Sequence, residues 1–139
     1  MNTETYLRQI LRCESMIQNK LKEERRIRDM ATRITPILDR EPIQTSGISD
    51  PVGIRGAELV EISNIIERLQ RKRRRIISQI DSIEKQEYYE VLTYRYVQDM
   101  SINDISDKIS KSVSQTCRRL NSARMEFEKI YGNSYMDCE

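Results

Sequence analysis

Apolar residues between Thr3 and Thr35 recur at helical intervals. Tyr6, Ile10, Cys13, Ile17, Leu21, Ile27, Ala31 and Ile34 stand three, four or six residues apart with charges between them. That pattern predicts a long amphipathic helix, which Pro36 is placed to end. The stretch "LDREPIQTSGISDPVGIRG" then gathers Pro42, Gly47, Pro51, Gly53 and Gly56 and reads as a loop over about 36–57. A second helix is predicted from there to about Ser82. Its Ile62, Leu69, Ile76 and Ile83 are seven residues apart, with Leu59, Ile66 and Ile80 on an adjacent row. This is a heptad seam, along which two helices pack lengthwise. The first helix can satisfy it by folding back as an antiparallel hairpin, and pairing between chains satisfies it equally.

From Glu84 onward the apolar pattern shortens into small helices. "EKQEYYEVLTYRYVQDM" predicts one helix holding Tyr88, Val91, Leu92, Arg95 and Tyr96. Ser101 then reads as an N-cap, with Asp104 three residues on as a short-armed partner for a weak capping box. Ile102, Ile105 and Ile109 give the next helix one apolar face. Ser110, Lys111 and Ser112 make a turn, and Ser112 is a natural N-cap for the helix after it. There Val113, Thr116, Leu120, Ala123 and Phe127 share one face, leaving Ser114, Gln115, Arg118, Arg119 and Ser122 mostly on the other. A short helix, a tight turn and a second helix with exposed Gln and Arg near its start is a helix-turn-helix pattern.

That face has the chemistry to touch duplex DNA. A glutamine can pair donor and acceptor with an adenine edge, and an arginine can fork onto guanine or clasp a phosphate. Ser112, Ser114, Gln115, Arg118, Arg119 and Ser122 are therefore the candidate DNA-binding residues, with Lys108 and Lys111 near the backbone at the turn. Arg119 borders the apolar face and could instead brace Asp104 or Glu90. From Ser101 to Arg124 five cations face two acids. The alternative is a structural three-helix cap with surface arginines.

Composition narrows the rest. The 139-residue chain has 37% hydrophobic and 33% charged residues, with no Trp and one Phe, which suits long, solvent-washed helices. A net charge of +2 carries no argument for nucleic acid by itself; only clustered charge does. The cationic run "QRKRRR" (70–75) reads either as phosphate contacts or as solvated charges neutralised by glutamates of the first helix. Its Arg73 falls on the Leu59, Ile66, Ile80 row, where a cation costs stability but fixes register. Tyr88, Tyr89, Tyr94 and Tyr96 resemble a stacking platform for single strands, though covering the hinge is the commoner use. With no His and three widely spaced Cys, neither a zinc site nor a disulfide framework is expected. No metal, cofactor or enzymatic activity is expected. The chain shows no signal peptide and no membrane span, which predicts a cytoplasmic protein.

The stretch "VLTYRYVQDMSINDISDKISKSVSQTCRRLNSAR" resembles the fourth region of sigma-70-type factors. There a Leu-x-x-Arg-Tyr helix, a Leu-Ser-x-x-Glu-Ile-Ala helix and a Ser-initiated recognition helix read the upstream promoter element. Leu92, Arg95 and Tyr96 match the first part; Ser101, Asp104 and Ile105 the second; Ser112, Arg119, Leu120 and Ala123 the third. The whole chain is similar to the small RinA- and ArpU-type regulators of Gram-positive phages and prophages. "YLRQILRCESMIQNKLKEERRIRDMATRITP" resembles the first helix of their relatives. Ser106 stands where the pattern has Ala and must satisfy its hydroxyl, on a carbonyl of the preceding turn. Ser110 replaces a frequent Gly and must turn without glycine's freedom.

The resemblance implies promoter DNA binding in a bacterial host cell and contact with host RNA polymerase. The expected architecture is all-α. A long, coiled-coil-like helical hairpin over 1–83 drives oligomerisation, with a dimer favoured. A sigma-like helix-turn-helix follows over 84–132, and then a flexible tail over 133–139. The expected function is sequence-specific regulation of phage or prophage transcription, with the helix at about 112–127 in the major groove. Two other functions fit the same pattern: a DNA-packaging protein like a small terminase subunit, or a sigma-like interaction module that binds protein without DNA.

Overall fold

A computed structural model describes residues 1–40 and 51–138, and among them every regular element is helical. Helix α1 spans Thr3–Arg40, α2 Pro51–Asp81, α3 Gln86–Leu92, α4 Ile102–Ile109 and α5 Val113–Tyr131. The wide π-helical turn Thr93–Val97 continues α3, and a 3-10 turn, Gly132–Cys138, follows α5. The all-α class is as the periodicity predicts. Asn2 opens α1, its Oδ1 accepting the Thr5 N–H at 2.7 Å, a standard N-cap.

The loop expected over 36–57 is shorter at both ends. Helix α1 passes Pro36 and runs to Arg40, and α2 already begins at Pro51. A proline forfeits one backbone bond, but its fixed φ is helical, so a long helix can bend past it. At a first helical position the missing N–H costs nothing, which suits Pro51. The remainder of the expected loop, 41–50, lies outside the described residues.

The chain divides into two compact units, one of residues 1–14 and 71–139, the other of residues 15–70. This division does not follow a boundary after residue 83, because the first turns of α1 share a core with the carboxy-terminal helices. Tyr6, Leu7 and Ile10 are buried with Ile76, Ile80, Leu92, Tyr96, Ile105, Leu120 and Phe127. In this unit α1 and α2 run antiparallel. Tyr6 Oη donates to Gln79 Oε1 at 2.6 Å, while further along α1 Glu14 pairs with Arg73 at 3.8 Å. Arg73 occupies the seam between buried Leu69 and Ile76, and its Nε is buried without a hydrogen-bond partner among the described residues. A cation so placed costs stability and ties register to Glu14.

The tail expected to be flexible beyond Gly132 is packed through Tyr135. Its ring stacks on Tyr6 at 4.3 Å between centroids, and its hydroxyl donates to Thr3 Oγ1 at 2.9 Å. Phe127 lies beside Tyr6 and Tyr131 in the same cluster. Such rings bury large apolar areas, enough to hold a short terminal turn. Burial raises the pKa of Tyr135 above its ordinary value, against the opposing effect of the bond to Thr3.

The unit of residues 15–70 has a thinner interior. Ile17, Ile62, Ile66 and Leu69 are its buried apolar side chains among the described residues. Leu21, expected on the stripe of α1, is instead exposed. Steps of four and three from Ile10 through Cys13 and Ile17 lead to Lys20, Glu24, Ile27 and Ala31, all partly buried. The six-residue interval from Leu21 to Ile27 is not a helical repeat, and the seam bypasses Leu21 for that reason.

Candidate nucleic-acid interface

The carboxy-terminal helices are set by an irregular hinge. In Thr93–Val97 the backbone widens, with Gln98 N–H bonded to Thr93 O at 3.0 Å and Met100 N–H to Tyr94 O at 2.9 Å. Asp99 then turns the chain with φ 54°, a left-handed conformation that Asp tolerates better than most residues. Arg95 Nη1 donates to Met100 O at 3.0 Å, so this arginine braces the hinge. Tyr96 is fully buried, and Tyr88, Tyr89 and Tyr94 pack on the edge of the core. Lys85 lies over the Tyr88 ring and Lys108 over the Tyr94 ring, at 4.5 and 5.3 Å. The tyrosines cover the hinge and present no open row of rings.

Helix α4 begins at Ser101, whose Oγ accepts the Asp104 N–H at 3.1 Å. Ile105 is buried, with Ile102 and Ile109 beside the core. At its end Ser110 takes the left-handed conformation, φ 58° and ψ 44°. Its N–H bonds to Asp107 O at 3.3 Å, and Lys111 N–H to Ser106 O at 3.1 Å. The buried Ser106 hydroxyl donates to Lys111 O. That carbonyl lies beyond Ser106, across the turn, whereas the expected one lay in the preceding turn. The serine therefore clasps the turn from both sides, a bond that an alanine there could not make.

A full capping box opens α5. Ser112 Oγ accepts the Gln115 N–H at 3.1 Å, and Gln115 Oε1 accepts the Ser112 N–H at 3.2 Å. Thr116 Oγ1 donates to Ser112 O at 2.9 Å, satisfying a hydroxyl on the buried face. Thr116, Leu120, Ala123 and Phe127 are that face. Val113, expected on it, is 47% exposed, because it stands at the first helical position, before the helix has turned fully onto the core.

The opposite face is polar and open. Ser114, Arg118, Asn121 and Met125 form one exposed row at steps of four, three and four, flanked by exposed Gln115 and Ser122. Arg118 has no ion pair or hydrogen bond among the described residues, so its guanidinium is available to a partner. Arg119 is different: half-buried, with Nη2 4.0 Å from Glu87 Oε2. Its brace is Glu87, where Asp104 or Glu90 was expected. Gln115 is exposed, but its side-chain oxygen is held by the cap, leaving Nε2 as its donor outward. Ser112 is committed to the cap as well. Lys111 is exposed in the turn, and Lys108 on α4, though exposed, holds its ammonium over the Tyr94 ring.

Asn121 and Met125 escaped the residue-type argument, although the spacing that selects Ser114 and Arg118 includes them. Arg124, beside this face, is structural: it donates to Tyr96 Oη at 2.9 Å and to Asn121. The first turn of α5 carries no acid, and the positive end of the helix there favours an approaching anion.

Among the described residues no cluster of His, Cys, Asp and Glu could hold a metal ion, and no helix is long and apolar enough to cross a membrane. No protein family, curated protein or solved structure matches this chain.

Proposed function

We propose that the chain binds duplex DNA through α4, its turn and α5, with α5 in the major groove, and that it regulates phage or prophage transcription as a dimer. The observation that carries this reading is the open face of α5. Ser114, Arg118 and Ser122 stand exposed on a helix whose other side is locked to the core by Thr116, Leu120, Ala123 and Phe127. A rigid helix with a free arginine and small polar neighbours can enter a groove and contact both phosphates and base edges. Lys111 at the turn lies where a backbone contact would position the helix. The resemblance of residues 91–124 to sigma region 4 points the same way. It adds the class of process, transcription in a bacterial host cell, and a second partner, host RNA polymerase.

The test is binding of the full chain to fluorescent fragments of its own genome across salt concentration, beside a Ser114→Ala/Arg118→Ala variant. Selective binding by the parent, weakened by salt and lost in the variant, supports the reading. Equal affinity for every fragment, or equal binding by the variant, overturns sequence-specific recognition by α5.

A further inference from the structure

The cationic run at 70–75 does not spread evenly round its helix. Arg71, Arg74 and Arg75 are exposed, whereas Lys72 and Arg73 are half-buried. Steps of three and four place the exposed three on one face, and the buried seam of Leu69, Ile76 and Ile80 occupies the opposite one. Glu14 of α1 meets Arg73, the arginine turned into that seam, at 3.8 Å. Exposed Gln70 and Ser78 flank the outward three, so this face offers charge and no apolar side chain for a lipid surface.

Its charge is arranged unlike that of α1. Arg8, Lys20 and Arg28 of α1 pair with Glu4, Glu23 and Glu24, each three or four residues away on the same helix. Between Glu67 and Asp81 of α2, six cations stand with no acid among them. Arg74 and Arg75 therefore have no carboxylate at a facing position on their own helix, and Arg71 lies three and four residues from them. Like charges at these spacings weaken a helix, and a polyanion laid along them removes that cost. Arg71 to Arg75 spans about 6 Å of helix, a length over which duplex DNA carries about three or four phosphates.

We propose that the outward face of α2, with Arg71, Arg74 and Arg75, holds the phosphate backbone of duplex DNA without reading its sequence. The proposal rests on the DNA-binding reading above and adds a contact separate from α5.

The full chain is titrated across salt concentration against two duplexes of equal length, one selected from its genome and one of unrelated sequence. Glutamine and arginine have similar helix propensity, so Arg71→Gln/Arg74→Gln/Arg75→Gln leaves α2 intact. This variant weakens binding to both duplexes at least tenfold at low salt and keeps the ratio between them. Its log–log slope is shallower by about two to three on each. Arg71→Lys/Arg74→Lys/Arg75→Lys retains the parent slopes, because a phosphate contact of this kind needs the charge and not the guanidinium fork. Lys22→Gln/Arg25→Gln/Arg26→Gln, which removes the same charge from exposed positions of α1, changes the slope by less than about one. Equal losses in the α1 and α2 glutamine variants reduce the effect to net charge and overturn the proposal. An α2 glutamine variant that matches the parent overturns it too, and leaves the reading of α5 standing if Ser114→Ala/Arg118→Ala still loses selectivity. A parent that binds neither duplex at low salt overturns both.

Discussion

The two compact units bury apolar surface in different ways. All seven tyrosines and the one phenylalanine lie outside residues 15–70. In the unit of 1–14 and 71–139, Tyr6, Tyr96 and Phe127 are completely buried, and even Tyr135 near the end of the chain is held. Residues 15–70 bury aliphatic side chains of a single seam, among those described. Aromatic bulk is thus concentrated where a short turn and two short helices must be held in one geometry. A two-helix stretch needs only a seam, and it leaves side chains such as Met16, Met30 and Val60 open to a partner.

The sharpest way to break that contrast is to cut into both interiors. Phe127→Ala removes the ring beside Tyr6 and Tyr131 and should cost about 3–5 kcal/mol. Ile66→Ala, in the thinner seam, should cost about 2 kcal/mol, since its surroundings can close over the gap. Urea unfolding measures both, and equal losses would mean the second interior is as tightly packed as the first.

The entry to α5 supplies the next largest effect. Ser112→Ala removes the acceptor of the capping box and should destabilise by about 1 kcal/mol. Hydrogen exchange should quicken at the Gln115 amide, and unchanged protection there would show the box to be dispensable. In the opposite direction, Ser110→Gly relieves a left-handed serine and should stabilise by about 0.5–1 kcal/mol. A lower denaturation midpoint in that variant would mean the serine side chain contributes something the backbone conformation does not explain.

The smallest effect is alkaline. The folded pKa of Tyr135 is raised by burial above its ordinary value of 10.0. Its contribution to stability is therefore complete below that value and is lost as pH rises through the folded one, because the unfolded chain releases the proton first. Tyr135→Phe should flatten the alkaline limb of the stability profile. An equally steep decline in that variant would place the titrating group elsewhere.

The fold class, the heptad of α2, the cap at Ser112 and the buried face of α5 were legible because each is a local repeat or a short-range bond. Three features were not. Helix continuation past Pro36 depends on the backbone tolerating one lost bond. The burial of Tyr135 depends on contacts with Thr3 and Tyr6, at the far end of the chain. The bypassing of Leu21 comes from strict heptad counting, in which Lys20 and Glu24 take seam positions that residue type alone argues against.

In the candidate site, spacing found the exposed row and set Arg119 at the edge of the apolar face, but it gave neither the partner of Arg119 nor the tie on Gln115. Geometry supplies both. The cap holds Gln115 by its oxygen, Glu87 faces Arg119, and Arg118 stands open. Of the three, Arg118 alone has its whole polar head unengaged among the described residues, while Gln115 keeps only Nε2 to offer outward.

The most direct measurement is the affinity of the chain for a selected duplex as a function of salt, for the parent and for Arg118→Ala. A phosphate or base contact from Arg118 predicts log–log lines of different slope, with the variant weaker at low salt and its slope shallower by about one. Superimposed lines, or no binding by either protein at low salt, would contradict DNA recognition through this face of α5.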